Sequence, residues 1–112
     1  MNSPRNEFQM VLLTDGTVLA AGGFGGAGNL ASSEVYNRIT KTWTLTGNMN
    51  VARNFPQMAL LPDGTVLVSG GFSNTATQAS SEVYNPATST WVLTKGGMNS
   101  ARAFFQMVLL QS

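Results

Sequence analysis

The chain has no cysteine and no histidine, and it is poor in charge: six Lys or Arg and five Asp or Glu in 112 residues, 10% of the total, where roughly 25% is usual. Without a thiol or an imidazole there is no disulfide framework, zinc finger, thiol nucleophile, Ser-His-Asp triad or imidazole metal site. A net charge of +1 gives no field to steer a polyanion, so no nucleic-acid partner is expected. No apolar run approaches the ~18 residues of a spanning helix, so no membrane partner is expected either. Residues 1–10 carry an early Arg but neither an apolar stretch nor a cleavage pattern, and they do not read as a signal peptide. None of the ten Asn residues stands in an N-x-[ST] context. The lack of cysteine fits an oxidising or a reducing compartment equally.

What is present is 43% hydrophobic residues, with two Trp, two Tyr and six Phe, enough for a core and against disorder. The dominant signal is internal repetition. The segment MNSPRNEFQMVLLTDGTVLAAGGF at Met1 returns as MNVARNFPQMALLPDGTVLVSGGF at Met49. ASSEVYNRITKTWTLT at Ala31 returns as ASSEVYNPATSTWVLT at Ala79. Aligned without gaps, residues 1–48 and 49–96 are identical at 28 of 48 positions. A third start, MNSARAFFQMVLL, begins at Met98. The spacing divides the chain into a first repeat at 1–48, a second at 49–97 and the opening of a third at 98–112.

Each repeat predicts four short strands. Two apolar runs flank Thr14-Asp15-Gly16, or Pro62-Asp63-Gly64 in the second copy, and Asp-Gly between apolar runs is a hairpin signal because glycine tolerates positive φ. A third strand is expected at residues 33–36. The turn NRIT, or NPAT with its φ-restricting Pro86, leads to a fourth at residues 42–45. No stretch of ten residues escapes Gly, Pro or β-branched clusters, so helices are not expected. The unit reads as a four-stranded antiparallel meander, and the fold class as all-β.

An Arg before the first strand, DG, GG, then E-x-Y and a Trp seven residues past the Tyr together resemble the kelch repeat. The residues are Arg5, Asp15, Gly16, Gly22, Gly23, Glu34, Tyr36 and Trp43, and again Arg53, Asp63, Gly64, Gly70, Gly71, Glu82, Tyr84 and Trp91. The resemblance implies blades of a β-propeller. Tandem kelch arrays often place His three residues after the Arg, where this chain has Phe8, Pro56 and Phe105. Copper-radical oxidases built on kelch blades are known to need His ligands beside Tyr, which this chain cannot supply.

Seven of the charges recur in register: Arg5, Arg53 and Arg102; Asp15 and Asp63; Glu34 and Glu82. A catalytic constellation is normally unique, whereas a scaffold device is copied with its scaffold. Each Glu is therefore expected to pair with an Arg at a blade junction, and each Asp to shape its turn. Gly22-Gly23 and Gly70-Gly71 open no helix and are followed by no Walker Lys-Ser/Thr, so they read as close-approach points between blades and not as a phosphate cradle. Tyr36, Tyr84, Trp43 and Trp91 read as packing between blades, and Met10, Met58 and Met107 as core filler. No carboxylate pair stands out as a glycosidase acid and base. The chain is expected to be no enzyme and to need no cofactor or metal.

The two copies differ most where the second strand meets the third: residues 25–30 and 73–78 share no identity. The links between repeats differ as well, Gly47-Asn48 against Lys95-Gly96-Gly97. In a meander these segments share one edge, and variable loops on a constant frame are where recognition resides. Gly25, Gly26, Asn29, Leu30, Ser73, Asn74, Thr75, Gln78, Asn48 and Lys95 are the candidate interaction residues. In kelch interaction domains this edge docks peptides or proteins, and the resemblance implies the same use here.

Known propellers close with about 4–8 blades, and a single blade cannot bury both its faces. Two complete repeats therefore call for further blades, either in a longer parent chain or in copies of this one. Three copies would supply six blades; open-ended association would give filaments. The ninth strand expected around residues 105–110 duplicates the first and is suited to insertion in a neighbour. The final Leu-Leu-Gln-Ser, where a continuing repeat would read Leu-Leu-Pro-Asp-Gly, sets the expectation of a terminus there. Two function classes follow: a self-assembling or protein-binding kelch scaffold, and a glycan-binding propeller fragment in which exposed Trp or Asn side chains contact sugar.

Overall fold

A computed structural model of the chain describes residues 5, 8–25, 28–73 and 77–94. Its strands are β1 (Gln9–Leu12), β2 (Val18–Ala21), β3 (Phe24–Gly25), β4 (Gly28–Asn29), β5 (Ser33–Asn37), β6 (Thr42–Leu45), β7 (Gln57–Leu60), β8 (Val66–Ser69), β9 (Ser81–Asn85) and β10 (Thr90–Leu93). Two four-stranded antiparallel sheets result, β1-β2-β5-β6 and β7-β8-β9-β10, with β3 and β4 pairing as a separate small hairpin. No helix occurs among the described residues. Each sheet is a blade-like meander and the architecture is all-β, as the repeat pattern predicts. The β3–β4 hairpin is not predicted. It lies in a Gly-rich segment with no apolar alternation, and it forms because Gly28 takes φ 129°, a conformation that L side chains rarely adopt. In the second repeat the same place holds two isolated bridges, Asn54 to Phe72 and Phe72 to Thr77.

The turns explain the spacing of the strands. Leu13 N–H donates to Thr17 O at 2.8 Å and Gly16 N–H to Leu13 O at 3.1 Å. Only the glycine of the Asp-Gly pair turns left-handed, with φ 88° at both Gly16 and Gly64. The Asp15 carboxylate accepts from the Thr17 amide (2.9 Å) and hydroxyl (2.6 Å), and Asp63 does the same with Thr65 (3.0 and 2.6 Å). These bonds, the hydroxyl first, hold both carboxyls below their ordinary pKa. A carboxyl depressed in the folded state stabilises the fold above its unfolded pKa, and that contribution disappears as pH falls through the folded value. Acidification below about pH 4 is therefore expected to weaken both turns. Urea midpoints measured from pH 6 to pH 2 should show a flatter acid limb in the Asp15→Asn/Asp63→Asn double variant; an unchanged limb would assign the acid sensitivity elsewhere.

At the outer hairpins the device is an Asn rather than Pro86. Asn37 Oδ1 accepts from the amides of Ile39 (2.9 Å) and Thr40 (3.3 Å), and Asn85 Oδ1 from Ala87 N–H at 2.9 Å. Such side-chain turns pre-form the reversal. Lys41 and Ser89 then close the loops at φ 58° and 57°.

Strand alternation sends two side-chain sets to opposite faces of each sheet. Leu19, Ala21 and the half-buried Val11 and Val35 of the first sheet meet Val66, Val68, Tyr84 and Trp91 of the second. Leu19, Val66 and Val68 are wholly buried, each worth about 1.5–3 kcal/mol of apolar burial. Between the two sheets β1 lies against β7, while the outer strands leave a wedge-shaped cleft of about 260 Å³. Met58 packs against the core as expected. Met10 does not: it is 54% exposed, because its face of the first sheet has no second sheet upon it.

Candidate functional site

The buried charges come first because they decide which groups remain for chemistry. Arg5 Nη2 lies 3.0 Å from Glu34 Oε2 and Arg53 Nη2 lies 3.1 Å from Glu82 Oε2, with all four side chains inaccessible to solvent. The Nη groups of the two guanidiniums are otherwise used identically. Arg5 donates to Gly22 O, Ser32 O and Ser32 Oγ at 2.8–3.0 Å, and Arg53 to Gly70 O, Ser80 O and Ser80 Oγ over the same range. Burial pulls the Arg53 pKa below its ordinary value, opposed by the Glu82 charge and hydrogen bond.

Each pair joins the segment before a sheet to that sheet's third strand, and in the second repeat it also ties the two sheets together. The Arg53 backbone sits on the first repeat: Gly23 N–H donates to Arg53 O at 2.7 Å and Arg53 N–H to Leu30 O at 3.0 Å. Its side chain enters the second. Glu82 completes the joint by accepting from the backbone amides of Asn50 (2.7 Å) and Val51 (3.0 Å) and from Asn50 Nδ2 (3.0 Å). The repeat pattern predicts the Arg–Glu pairing but not these link amides, which belong to no side-chain motif.

The Gly-Gly pairs divide their work. A Cβ on Gly22 would stand 2.6 Å from Arg53 O and 3.2 Å from Met49 Cε, at φ +73°, so this glycine admits the second repeat. A Cβ on Gly71 would stand 2.6 Å from Asn54 O and 3.2 Å from Pro56 N, in the segment that leads into its own repeat. The aromatic expectation holds for one repeat and not the other. Trp91 Nε1 donates across the sheets to Ser33 Oγ and Gly47 O, both at 3.1 Å, and Tyr84 OH lies 2.8 Å from Thr46 Oγ1. Tyr36 and Trp43 meet each other at 5.1 Å but are partly exposed, because no other described sheet packs on their side.

The described part of the first variable segment lies beside the inter-repeat link. Met49 N–H donates to Ala31 O at 2.8 Å, beside the two Arg53 bonds. On this edge Gly25 and Asn29 lie in the small hairpin, Asn48 is exposed, and Leu30 and Ser73 are half-buried. Asn29 Nδ2 reaches Phe72 O at 3.4 Å. The Gln78 side chain is committed inside its loop, donating to Ser73 Oγ (2.9 Å) and accepting from Ser80 Oγ (3.2 Å), so it is a loop brace rather than a free contact. Gly26, Asn74, Thr75, Lys95 and Arg102 lie outside the described residues, as do Met107 and the ninth strand.

Three phenylalanines on this edge are absent from the sequence-based candidates. Phe24 is 45% exposed. Phe55 and Phe72 meet edge to face with centroids 6.5 Å apart, and Phe55 holds φ 55°, unusual for a bulky side chain. Phe24 and Phe72 follow Gly-Gly in both copies; that repetition gives them the look of scaffold, whereas an exposed aromatic beside divergent loops is the composition of a contact surface. At the opposite edge, the inter-sheet cleft is lined by Asp15, Thr17, Thr44, Thr46, Tyr84 and Ser89 among others, a hydroxyl-rich wall. Among the described residues no three His, Cys, Asp or Glu side chains gather to hold a metal.

No curated protein matches the chain. The family model of the kelch motif matches residues 11–50, from β1 through the link to the second repeat. The Gly-Gly, Glu34, Tyr36 and Trp43 positions within that stretch occupy the structural places just described. Residues 11–50 are thus similar to a kelch motif, and the second repeat copies much of that stretch.

Proposed function

We propose that this chain is a non-enzymatic kelch module that works by binding protein, as a self-assembling scaffold and as a platform whose variable edge receives a partner. Residues 1–48 and 49–97 act as one blade each, with 98–112 opening a third. The observation that carries this reading is the division between a copied frame and a divergent edge. Glu34 and Glu82 are bound to buried Arg, and Asp15 and Asp63 to their own turns, so these carboxylates are engaged in structure. Divergence gathers instead beside Phe24, Asn29 and Ser73.

A random-peptide display library panned against the full chain tests the platform. Enriched peptides are expected to lose at least ten-fold in affinity on Phe24→Ala and Asn29→Ala, and to be unaffected by Asp63→Asn at the far edge. Enrichment indifferent to the first two variants would sink the reading.

The hydroxyl-rich cleft supports a second reading, recognition of a glycan. Trp91 is engaged between the sheets while Trp43 is partly exposed, so the cleft and the Trp43 face are the two places for a sugar. A glycan array separates the two: a hit abolished by Thr44→Val would favour the cleft.

A further inference from the structure

The two repeats form an internal experiment: the same residue, at the same strand position, is seen with and without a neighbouring sheet. On the face of the second sheet that meets the first, Val66, Tyr84 and Trp91 are 0%, 2% and 6% exposed. Their counterparts on the first sheet, Val18, Tyr36 and Trp43, are all partly exposed, and Met10 and Leu12 are 54% and 62% exposed where their counterparts Met58 and Leu60 pack against the core. The reverse holds on the other side. Leu19 is completely buried against the second sheet, while its counterpart Leu67 is partly exposed. The chain therefore carries both halves of its own internal interface a second time, with no other described sheet packed on them.

We infer that the occupant is a second copy of this chain, docked head to tail, so that the outer face of one copy's second sheet covers the outer face of the next copy's first sheet. This rests on the scaffold reading and specifies its interface. The internal contact shows the required chemistry. Trp91 to Ser33 and Tyr84 to Thr46 translate, copy to copy, into Trp43 to Ser81 and Tyr36 to Thr94. Leu67 and Val83 take the places of Leu19 and Val35 against Val18 and Leu12. No Lys, Arg or Asp lies in the strands of either face, and Glu34 is already paired with Arg5, so association strands no charge. Gly47, where a Cβ would overlap Ser89 O, has Lys95 at its gapless counterpart, followed by Gly96 and Gly97. A contact between unlike faces propagates until it closes, and closure at about 4–8 blades corresponds to two to four copies.

Light scattering on the full chain, with two variants, tests this. The wild-type chain is expected to have at least twice its 11.9 kDa mass, as a closed ring or as filaments. Leu12→Glu blocks one face and Val83→Glu the other; each alone is expected to be a monomer. Mixed one to one, each retains the half that the other lacks, and the mixture is expected to stop at a dimer. Circular dichroism checks folding, and Val92→Glu replaces Val83→Glu if the latter unfolds. Wild-type monomer at all concentrations overturns the inference and leaves these faces to blades of a longer chain. Dissociation by one variant alone overturns it too, because a like-with-like contact would behave that way. Both substitutions lie off the variable edge, so peptide binding there survives or fails independently.

Discussion

Glu82→Gln is expected to destabilise the chain by about 3–5 kcal/mol, the usual cost of removing one partner from a fully buried ion pair. The substitution keeps the shape and removes the charge, leaving the Arg53 guanidinium in a site where burial already opposes its protonated form. It also weakens the acceptor that holds the Asn50 and Val51 amides, so the loss falls on the link between the sheets as well as within the second one. The measurement is a urea denaturation curve, with Arg53→Met and the double variant completing a cycle. If the pair acts as one unit, the double variant costs much less than the sum of the singles. Additive effects, or a single effect under about 1 kcal/mol, would show that the joint is held by packing alone.

Trp91→Ala is expected to cost about 3–5 kcal/mol, the range for deleting a buried indole. The side chain is 6% exposed, stacks on Tyr84 at 5.0 Å and reaches across to the first sheet through two hydrogen bonds. Its removal opens a cavity where the sheets meet and leaves Gly47 O without that donor. The same substitution at Trp43 should cost roughly 1–2 kcal/mol, since a half-exposed side chain forfeits less transfer free energy. Measured in the Leu12→Glu background, where association is blocked, the two values should differ by at least a factor of two. Equal losses would mean that the sheet covering Trp91 contributes nothing to its worth.

The two substitutions bear on different links. Glu82 anchors backbone that could otherwise detach, whereas Trp91 fills space that would otherwise be empty. Both matter because the apolar interface is short, two four-stranded sheets meeting along one face each. The buried ion pair is by itself weak support for stability compared with an apolar filling of the same volume. Its value here is positional: the Arg53 backbone belongs to the first sheet and its side chain to the second, so the pair sets where one blade begins relative to the other.

The strands and their order are legible in the sequence, and for local reasons. Asp15-Gly16 and Asp63-Gly64 admit a left-handed residue at one point only, and a short turn between two apolar runs leaves the register little freedom. The buried Arg–Glu pairs are legible because a chain with so little charge copies these few in register, which points to a partner within the frame. The β3–β4 hairpin is not, since Gly28 and its neighbours carry no alternation to read. Gln78 has the variability of a contact residue, and only the loop's folded path shows it bracing Ser73 and Ser80. The phenylalanines at 24 and 72 are hidden for the opposite reason: a residue repeated in sequence need not be buried in space.

The repeat, the all-β meander and the residues that hold each sheet together all follow from the sequence, because these depend on neighbours close in the chain or copied with it. Burial does not follow from it. Tyr36 and Tyr84, or Trp43 and Trp91, stand in the same local setting, with the same strand partners at nearly the same ring distances. They differ because a sheet packs on one pair and not on the other. Burial is a property of what lies across the interface, and no stretch of chain contains that information about itself.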